Sequence, residues 1–259
     1  MLIKREEYRQ YDAVNASYLK KVLSHSVWHA NVPFEPTAAM LFGTAAHSYI
    51  LEPETFDQEY HVWQGDRRTK AGKEMYQEIL DNGQTPITQQ DMLRLEMMRD
   101  HVMGHKETAA LLNDKKEVEL SLTFDSPYQP GLLCKGQIDL YTNDGWLVDL
   151  KTIADIDKAE RQFFNLHYDL QLAFYQDALM RNGRVPKGVK VLFVETASPH
   201  QVALFDVPGP VLDNGTAKIK VALNKYLEQR ELAEPELINK AIDMPAWASV
   251  LDEDDISPF

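Results

Sequence analysis

Residues 134–151, with the sequence CKGQIDLYTNDGWLVDLK, place acidic and basic side chains at a spacing that suits metal chemistry. Two short alternating segments flank an Asn-Asp-Gly turn, and each carries one carboxylate, Asp139 or Asp149. Side chains at positions i and i+2 of a strand point to the same face, so Lys151 stands beside Asp149 while Leu150 points into an apolar layer. Two carboxylates and a lysine on one face are unfavourable unless something binds there. A divalent metal ion that activates a water molecule fits this arrangement.

Glu119 extends this polar face to a third strand. In residues 116–124 polar and apolar side chains alternate strictly, which places Glu119 on one face and Val118, Leu120, Leu122 and Phe124 on the other. Each acid taken alone is typical of a solvated strand face. Because the acids fall on one face of three consecutive strands, we interpret them as a metal site, with Glu119 available to a second ion.

Two helical motifs lie outside this region. Gly43 and His47 share a helix face at positions i and i+4, and so do Gln171 and Tyr175. A lone histidine in an apolar helix is more often a packed core residue than a ligand. Gln171 and Tyr175 could donate hydrogen bonds to phosphate oxygens. Alone, they are equally typical of an amphipathic helix near water.

A change of hydrophobic period near residue 116 predicts the order of the elements. Helical periodicity predicts helices at 15–29, 37–51 (largely buried), 88–112, 158–182 and 210–232, and a loop that runs into a helix at 66–82. Alternation predicts strands at 116–124, 132–141, 145–151, 189–195 and 201–207. The short loops between the first three strands indicate an antiparallel meander. We therefore predict an α/β fold with a central mixed sheet flanked by helices.

We expect one domain over residues 1–259, organised in four parts. These are a mainly helical part at 1–115, a catalytic sheet core at 116–207, a helical part at 208–250 and an acidic tail at 251–259.

Four short motifs occur in a fixed order: GxxxH at 43–47, GxxD at 136–139, DxK at 149–151 and QxxxY at 171–175. Their order and their helix–strand–strand–helix context resemble the RecB-like branch of the PD-(D/E)XK nuclease superfamily. The segments NASYLKKVL and LLCKGQIDL are most similar to RecE-type exonucleases (exodeoxyribonuclease VIII) of phages and prophages. The resemblance spans roughly residues 12–207 and implies a restriction-endonuclease-like core.

This resemblance implies a Mg²⁺- or Mn²⁺-dependent hydrolysis of DNA phosphodiesters. Asp139 and Asp149 would bind the metal together with the carbonyl of Leu150. His47 would be a further ligand or lie beside the metal, and Glu119 matches a less constant acid of the family.

The remaining motif residues would support the reaction. Lys151 would orient the attacking water rather than form a salt bridge with Asp149, and Gln171 and Tyr175 would support the DNA backbone and the lysine. RecE-type enzymes degrade the 5′ strand of linear duplex DNA and leave a 3′ overhang for recombination. They assemble as rings, so the resemblance implies a homo-oligomer (trimer or tetramer) that binds double-stranded DNA ends in a bacterial host cell.

Composition bears on the surface charge, the cysteine-dependent sites and the cellular location of the protein. The formal net charge is -13, which argues against a surface that is basic over most of the protein but is compatible with a local basic groove. The single cysteine, Cys134, excludes a disulfide framework, a four-cysteine zinc site and a cysteine-ligated iron–sulfur cluster. The sequence has no signal-like start and no apolar run of about 18 residues. We therefore predict a cytoplasmic protein.

Two further segments allow more than one interpretation. A basic run is equally consistent with a DNA-facing loop and with a solvated loop: Arg67, Arg68, Lys70 and Lys73. The tail LDEDDISPF either is a disordered acidic end or docks Phe259 on a neighbouring subunit or a partner such as a single-strand annealing protein. Alternative functions are a single-strand exonuclease, an endonuclease, or a non-catalytic DNA-binding subunit.

Overall fold

A computed structural model describes residues 1–66, 68–235 and 237. Its helices are α1 (Arg5–Tyr8), α2 (Ala16–Ser24), α3 (Val27–Asn31), α4 (Ala38–Leu51), α5 (Phe56–Glu59), α6 (Lys70–Asp81), α7 (Gln89–Gly104), α8 (Lys106–Asn113), α9 (Ala159–Asn165), α10 (Tyr168–Arg181) and α11 (Gly209–Gln229). Its strands are β1 (Tyr60–Trp63), β2 (Thr85–Thr88), β3 (Lys115–Asp125), β4 (Leu133–Thr142), β5 (Trp146–Ile153), β6 (Gly188–Glu195) and β7 (Val202–Asp206).

The predicted mixed sheet is confirmed. Five strands lie in the order β3-β4-β5-β6-β7, in which β5 and β6 are parallel and the other neighbours are antiparallel. The predicted antiparallel meander of β3, β4 and β5 is therefore confirmed. The parallel pair requires a crossover, and α9 and α10 provide it.

Helices cover both faces of the sheet. Alternate residues of β5 and β6 enter two separate apolar clusters, so Leu147 and Val191 pack on one face while Val148 and Leu192 pack on the other. The first cluster includes residues of α2, α9, α10 and α11, and the second includes residues of α4, α7 and α8. Burial on both faces explains the continuous apolar run of β6 at 191–194.

Three predicted helices are each divided in the structure. The helix predicted at 158–182 is α9 followed by α10, which are separated where the backbone of His167 is left-handed, with a φ of 53°. The helix predicted at 15–29 is α2 followed by α3, because Ser26 begins a new helix and its side chain accepts a hydrogen bond from the backbone of His29. The helix predicted at 88–112 is interrupted at His105, whose backbone is extended. Asn15 caps the start of α2, where its side chain accepts a hydrogen bond from the Tyr18 backbone N–H at 2.8 Å.

Other differences come from short or amphipathic segments. The parallel pair β1 and β2 was not predicted, because four-residue strands are too short to show a period. Helix α4 matches the prediction at 37–51, but Met40 and Leu41 in its first turn are half exposed. Its buried face begins at Gly43.

In the described part of the chain, no helix combines the length and the apolar composition needed to cross a bilayer. The helix predicted at 210–232 corresponds to α11. The tail at 251–259, with Phe259, lies outside the described residues, and the four-part division of the chain stays a prediction.

Candidate active site

Strands β4 and β5 separate at the centre of the sheet and form the base of the site. They pair only at Leu140 with Val148 and at Tyr141 with Leu147. Beyond these pairs, Oδ2 of Asp139 accepts a hydrogen bond from the backbone N–H of Leu150 at 2.8 Å. A side chain thus takes the place of the usual strand-to-strand hydrogen bond. The gap leaves room for functional side chains, while β5 stays paired with β6 along its full length.

The backbone of β3 is irregular at Glu119. This residue has a φ of 50°, in the left-handed region that residues other than glycine seldom adopt. The irregularity corrects the predicted alternation: Val118 packs against the cluster on one face of the sheet, and Leu120 and Leu122 belong to the cluster on the other. Unusual backbone conformations in a well-packed strand often mark functional positions.

Three predicted ligands converge at the separated strands. The ligand atoms of His47, Glu119 and Asp139 all lie within 4.8 Å of one another. Nδ1 of His47 is 3.6 Å from Oδ2 of Asp139. Gly43 permits this approach of α4, since a Cβ atom there would lie 3.0 Å from Oγ1 of Thr152 on β5. The weak helical motif at 43–47 therefore does contribute to the site.

The electrostatics of this cluster suit a cation. Burial raises the pKa of Asp139, and burial together with the Asp139 charge raises that of Glu119. Burial and the Lys151 charge lower the pKa of His47 to about 4, so its imidazole is neutral and can act as a ligand. Carboxylate oxygens and a neutral imidazole are ligands that divalent cations accept. A bound cation would relieve the repulsion between the two acids.

Asp149 and Lys151 lie side by side on β5, as predicted. Asp149 is buried, and its Oδ2 is 2.6 Å from Nζ of Lys151. Burial opposes the charge of Lys151, but the carboxylates of Asp149 and Asp139 outweigh that effect and raise the pKa of the ammonium group. Nζ of Lys151 also donates to the carbonyl of Leu150 at 3.3 Å. The expectation that Lys151 does not pair with Asp149 is therefore wrong for this structure.

Gln171 and Tyr175 project from α10 into the same site. Nε2 of Gln171 donates to Oδ1 of Asp149 at 3.0 Å and to the Tyr175 hydroxyl at 3.2 Å. Gln171 is buried. The alternative interpretation, in which it is a polar residue near water on an amphipathic helix, is therefore wrong. Gly136 on β4 faces this helix, where an added Cβ would meet the Tyr175 ring at 3.4 Å.

Two residues of the site were not predicted. Nζ of Lys20 on α2 donates to Oε1 of Gln171 at 2.7 Å, and the ring of Tyr168 lies beneath both Lys20 and Lys151. Lys20 falls within the segment NASYLKKVL that contributed to the family resemblance. Tyr168 lies one helical turn before Gln171, a spacing that could have indicated it. No spacing relates Lys20 to the four motifs.

The contacts of the basic run at 67–73 do not distinguish a DNA-facing loop from a solvated loop. Arg68 pairs with Asp66, and Lys70 lies 3.8 Å from Glu74. Both basic side chains are about nine-tenths exposed, at 90% and 91%. Arg67 lies outside the described residues, so a DNA-facing role for this run stays a prediction.

We expect the variant Glu119→Gln to raise the unfolding temperature of the metal-free protein by roughly 2–4 °C. A carboxyl group whose folded-state pKa is raised stabilises the fold at low pH and loses that contribution as pH rises through the folded-state pKa. Glutamine does not titrate. The difference in unfolding temperature between the variant and wild type should therefore increase as the pH rises above the ordinary glutamate pKa of 4.5. Thermal unfolding in a chelator across a pH series measures it.

Glu54→Gln is the matched control. Its own backbone and Lys115 lower the pKa of Glu54, the opposite direction, and the side chain is exposed. That variant should bring no gain at high pH. An identical pH dependence in wild type and Glu119→Gln would contradict the electrostatic account of the cluster.

Comparison with known proteins gives a family for this chain and a crystal structure with a similar fold. A family model described as "PDDEXK-like domain of unknown function (DUF3799)" matches residues 7–240. The fold is similar to the crystal structure of a "putative exonuclease" from Eubacterium rectale, with a TM-score of 0.68 and 15% identity over 94% of this chain and 97% of that chain. A phage-related exonuclease from Haemophilus somnus 129PT matches with a TM-score of 0.33 and 14% identity over 86% of this chain and 98% of that chain. No curated protein matches significantly.

Proposed function

The chain belongs to the PDDEXK-like family, and on that premise we propose that it is a divalent-metal-dependent exonuclease that degrades the 5′ strand of linear double-stranded DNA. The observation that carries the proposal is the convergence of His47, Glu119 and Asp139 beside the Asp149–Lys151 pair where β4 and β5 separate. Buried acids can hold a metal ion, and a lysine beside them can stabilise the negative charge that develops during phosphodiester hydrolysis.

Each side chain has a role in this proposal. Glu119, Asp139 and His47 would hold Mg²⁺ or Mn²⁺, with Asp149 and the Leu150 carbonyl completing the ligands. When bound, such an ion supplies a Lewis acid and lowers the pKa of a bound water molecule.

Lys151 acts next to these ligands. Its ammonium group remains charged, since nearby carboxylates raise its pKa. It would hold the attacking water and stabilise the negative charge that develops on the phosphate. Gln171 keeps the Asp149 carboxylate in place, and Tyr175 supports Gln171.

The biological setting proposed is recombination of the phage type in a bacterial cytoplasm. A 3′ single-stranded overhang is the product that a single-strand annealing protein would use. A ring of three or four copies with an acidic exterior and a basic channel would reconcile the charge of -13 with a polyanionic substrate. The resemblance to RecE-type exonucleases supports these points.

Digestion of linear duplex DNA labelled separately at its 5′ and 3′ ends tests the proposal. With Mg²⁺ we expect early release of the 5′ label, retention of the 3′ label, and no attack on a covalently closed circle. Early release of the 3′ label would refute the proposed polarity. Cleavage of the circle would favour an endonuclease, preference for single strands would favour the single-strand enzyme, and no metal-dependent release at all would favour a DNA-binding subunit.

A further inference from the structure

Lys20 connects α2 with the catalytic helix α10 through one hydrogen bond. Its Nζ lies 2.7 Å from Oε1 of Gln171, a residue 151 positions away in the chain. The same ammonium group lies 5.0 Å from the centre of the Tyr168 ring. None of the functions proposed for the metal ligands, Lys151, Gln171 or Tyr175 involves Lys20.

The contact selects one orientation of the Gln171 amide. An ammonium group can only donate hydrogen bonds and an ionised carboxylate can only accept them. With Oε1 held by Lys20, Nε2 faces Oδ1 of Asp149 at 3.0 Å and the Tyr175 hydroxyl at 3.2 Å. In the flipped amide, an oxygen would face the Asp149 carboxylate and an NH₂ group would face the ammonium group. Both contacts would then be repulsive.

The placement of Lys20 is unfavourable by itself. Lys151 lies 5.1 Å from the centre of the same Tyr168 ring, so two ammonium groups share one aromatic side chain. Burial and the charge of Lys151 lower the pKa of Lys20 to about 8. A buried like-charge pair lowers stability unless other contacts compensate. The hydrogen bond to Gln171 and the ring of Tyr168 are such contacts.

We propose that Lys20 is a positioning residue of the active site, which fixes the Gln171 amide so that Asp149 is held ready for a divalent cation. The inference rests on the proposed function, since it assumes a cation at Asp149. Mutation of a residue that hydrogen-bonds to a metal ligand typically lowers metal affinity by about 10–100-fold.

This role and simple electrostatics predict opposite results. Lys20 is a positive charge close to the cation site, so removing that charge alone should tighten cation binding. If Lys20 instead positions Asp149 through Gln171, its removal should weaken binding. The direction of the change therefore separates the two explanations.

The experiment is calorimetric titration of Mn²⁺ into the full-length chain without DNA. We expect Lys20→Met to weaken Mn²⁺ binding about 10-fold, and Lys20→Arg, which keeps a donor, to restore most of it. Lys21→Met is the matched control: it removes the same charge from the same helix, but its ammonium lies over the Phe34 ring. That variant should bind Mn²⁺ like wild type.

Gln171→Ala tests the connection between the two residues. Lys20→Met should weaken Mn²⁺ binding in the wild-type background and add no further loss when Gln171 is alanine. Circular dichroism confirms that each variant is folded. Unchanged or tighter Mn²⁺ binding by folded Lys20→Met overturns the inference, as do fully additive losses.

Failure of the proposed function gives a different pattern. If wild type binds Mn²⁺ but releases no nucleotides from DNA, the exonuclease proposal fails and the positioning role is still decided by the titration. If wild type does not bind Mn²⁺, the metal site fails and this inference fails with it.

Discussion

Lys151→Ala will reduce metal-dependent DNA cleavage by about 10²–10³-fold, the usual effect of removing one group that stabilises developing charge. Nζ of Lys151 lies 2.6 Å from Asp149 and 3.3 Å from the Leu150 carbonyl, so it stands where the proposed ligands meet. Its buried ammonium group is held there by two carboxylates. Alanine leaves no group at this position to hold the water or to meet charge on the phosphate. Single-turnover cleavage of end-labelled duplex DNA measures the loss.

Asp149→Asn should also remove most of the cleavage activity, because it removes a proposed metal ligand. The protein should still fold with reduced stability, because asparagine keeps the shape of the side chain and Asp139 remains near the charged Lys151. DNA binding measured in Ca²⁺ or in a chelator should change little in either variant.

Lys190→Ala is the matched control for Lys151→Ala. It also removes a lysine that pairs with an aspartate on the same sheet, but its partner is Asp206 and its ammonium lies over Trp146. Cleavage by this variant should stay within about 2-fold of wild type. Retention of activity by Lys151→Ala would refute the proposed role of Lys151.

The parts of the site that the sequence predicts are those with short, regular spacing. Asp149 and Lys151 are neighbours because the period of a strand is two residues, and Gln171 and Tyr175 share a face because one helical turn separates them. The family resemblance then places both pairs in one site. The mixed sheet follows from the change of hydrophobic period near residue 116.

What the sequence did not reveal depends on contacts between distant segments or on single backbone angles. Nothing local indicates that Glu119 adopts a positive φ, or that Val118 and Leu120 on either side of it lie on opposite faces of the sheet. The separation of β4 and β5 likewise depends on Asp139 reaching the Leu150 backbone. Lys20 meets Gln171 only because α2 packs near α10 in the folded chain.

Gly215→Ala will destabilise the protein by about 3 kcal/mol or more, the upper range for inserting atoms into a packed core. Gly215 lies on α11 where this helix crosses α10. An added Cβ would lie 2.1 Å from the carbonyl oxygen of Asp169 and 2.5 Å from its carbonyl carbon. These are backbone atoms of α10 and cannot rotate away, so the two helices would have to separate. The gain in helix propensity from glycine to alanine is only about 1 kcal/mol.

Separation of α10 and α11 would also disturb buried polar contacts. Asp169 is fully buried, with its Oδ2 2.7 Å from Nζ of Lys218 and 2.6 Å from Nδ2 of Asn214, both on α11. Weakening a buried ion pair leaves charges without compensation, which is strongly unfavourable. Helix α10 also carries Gln171, so residual cleavage activity should fall together with stability.

Thermal unfolding of the Gly215→Ala variant should show a decrease in Tm of roughly 6–12 °C. Gly104→Ala is the matched control, because it adds the same methyl group in the last turn of α7, where no atom of the described residues lies within 4 Å of the new Cβ. That variant should unfold at the wild-type temperature or slightly above it. A Gly215→Ala protein as stable as wild type would mean that α10 and α11 do not approach as closely as described, and the support that α11 gives to the helix carrying Gln171 would have to be reconsidered.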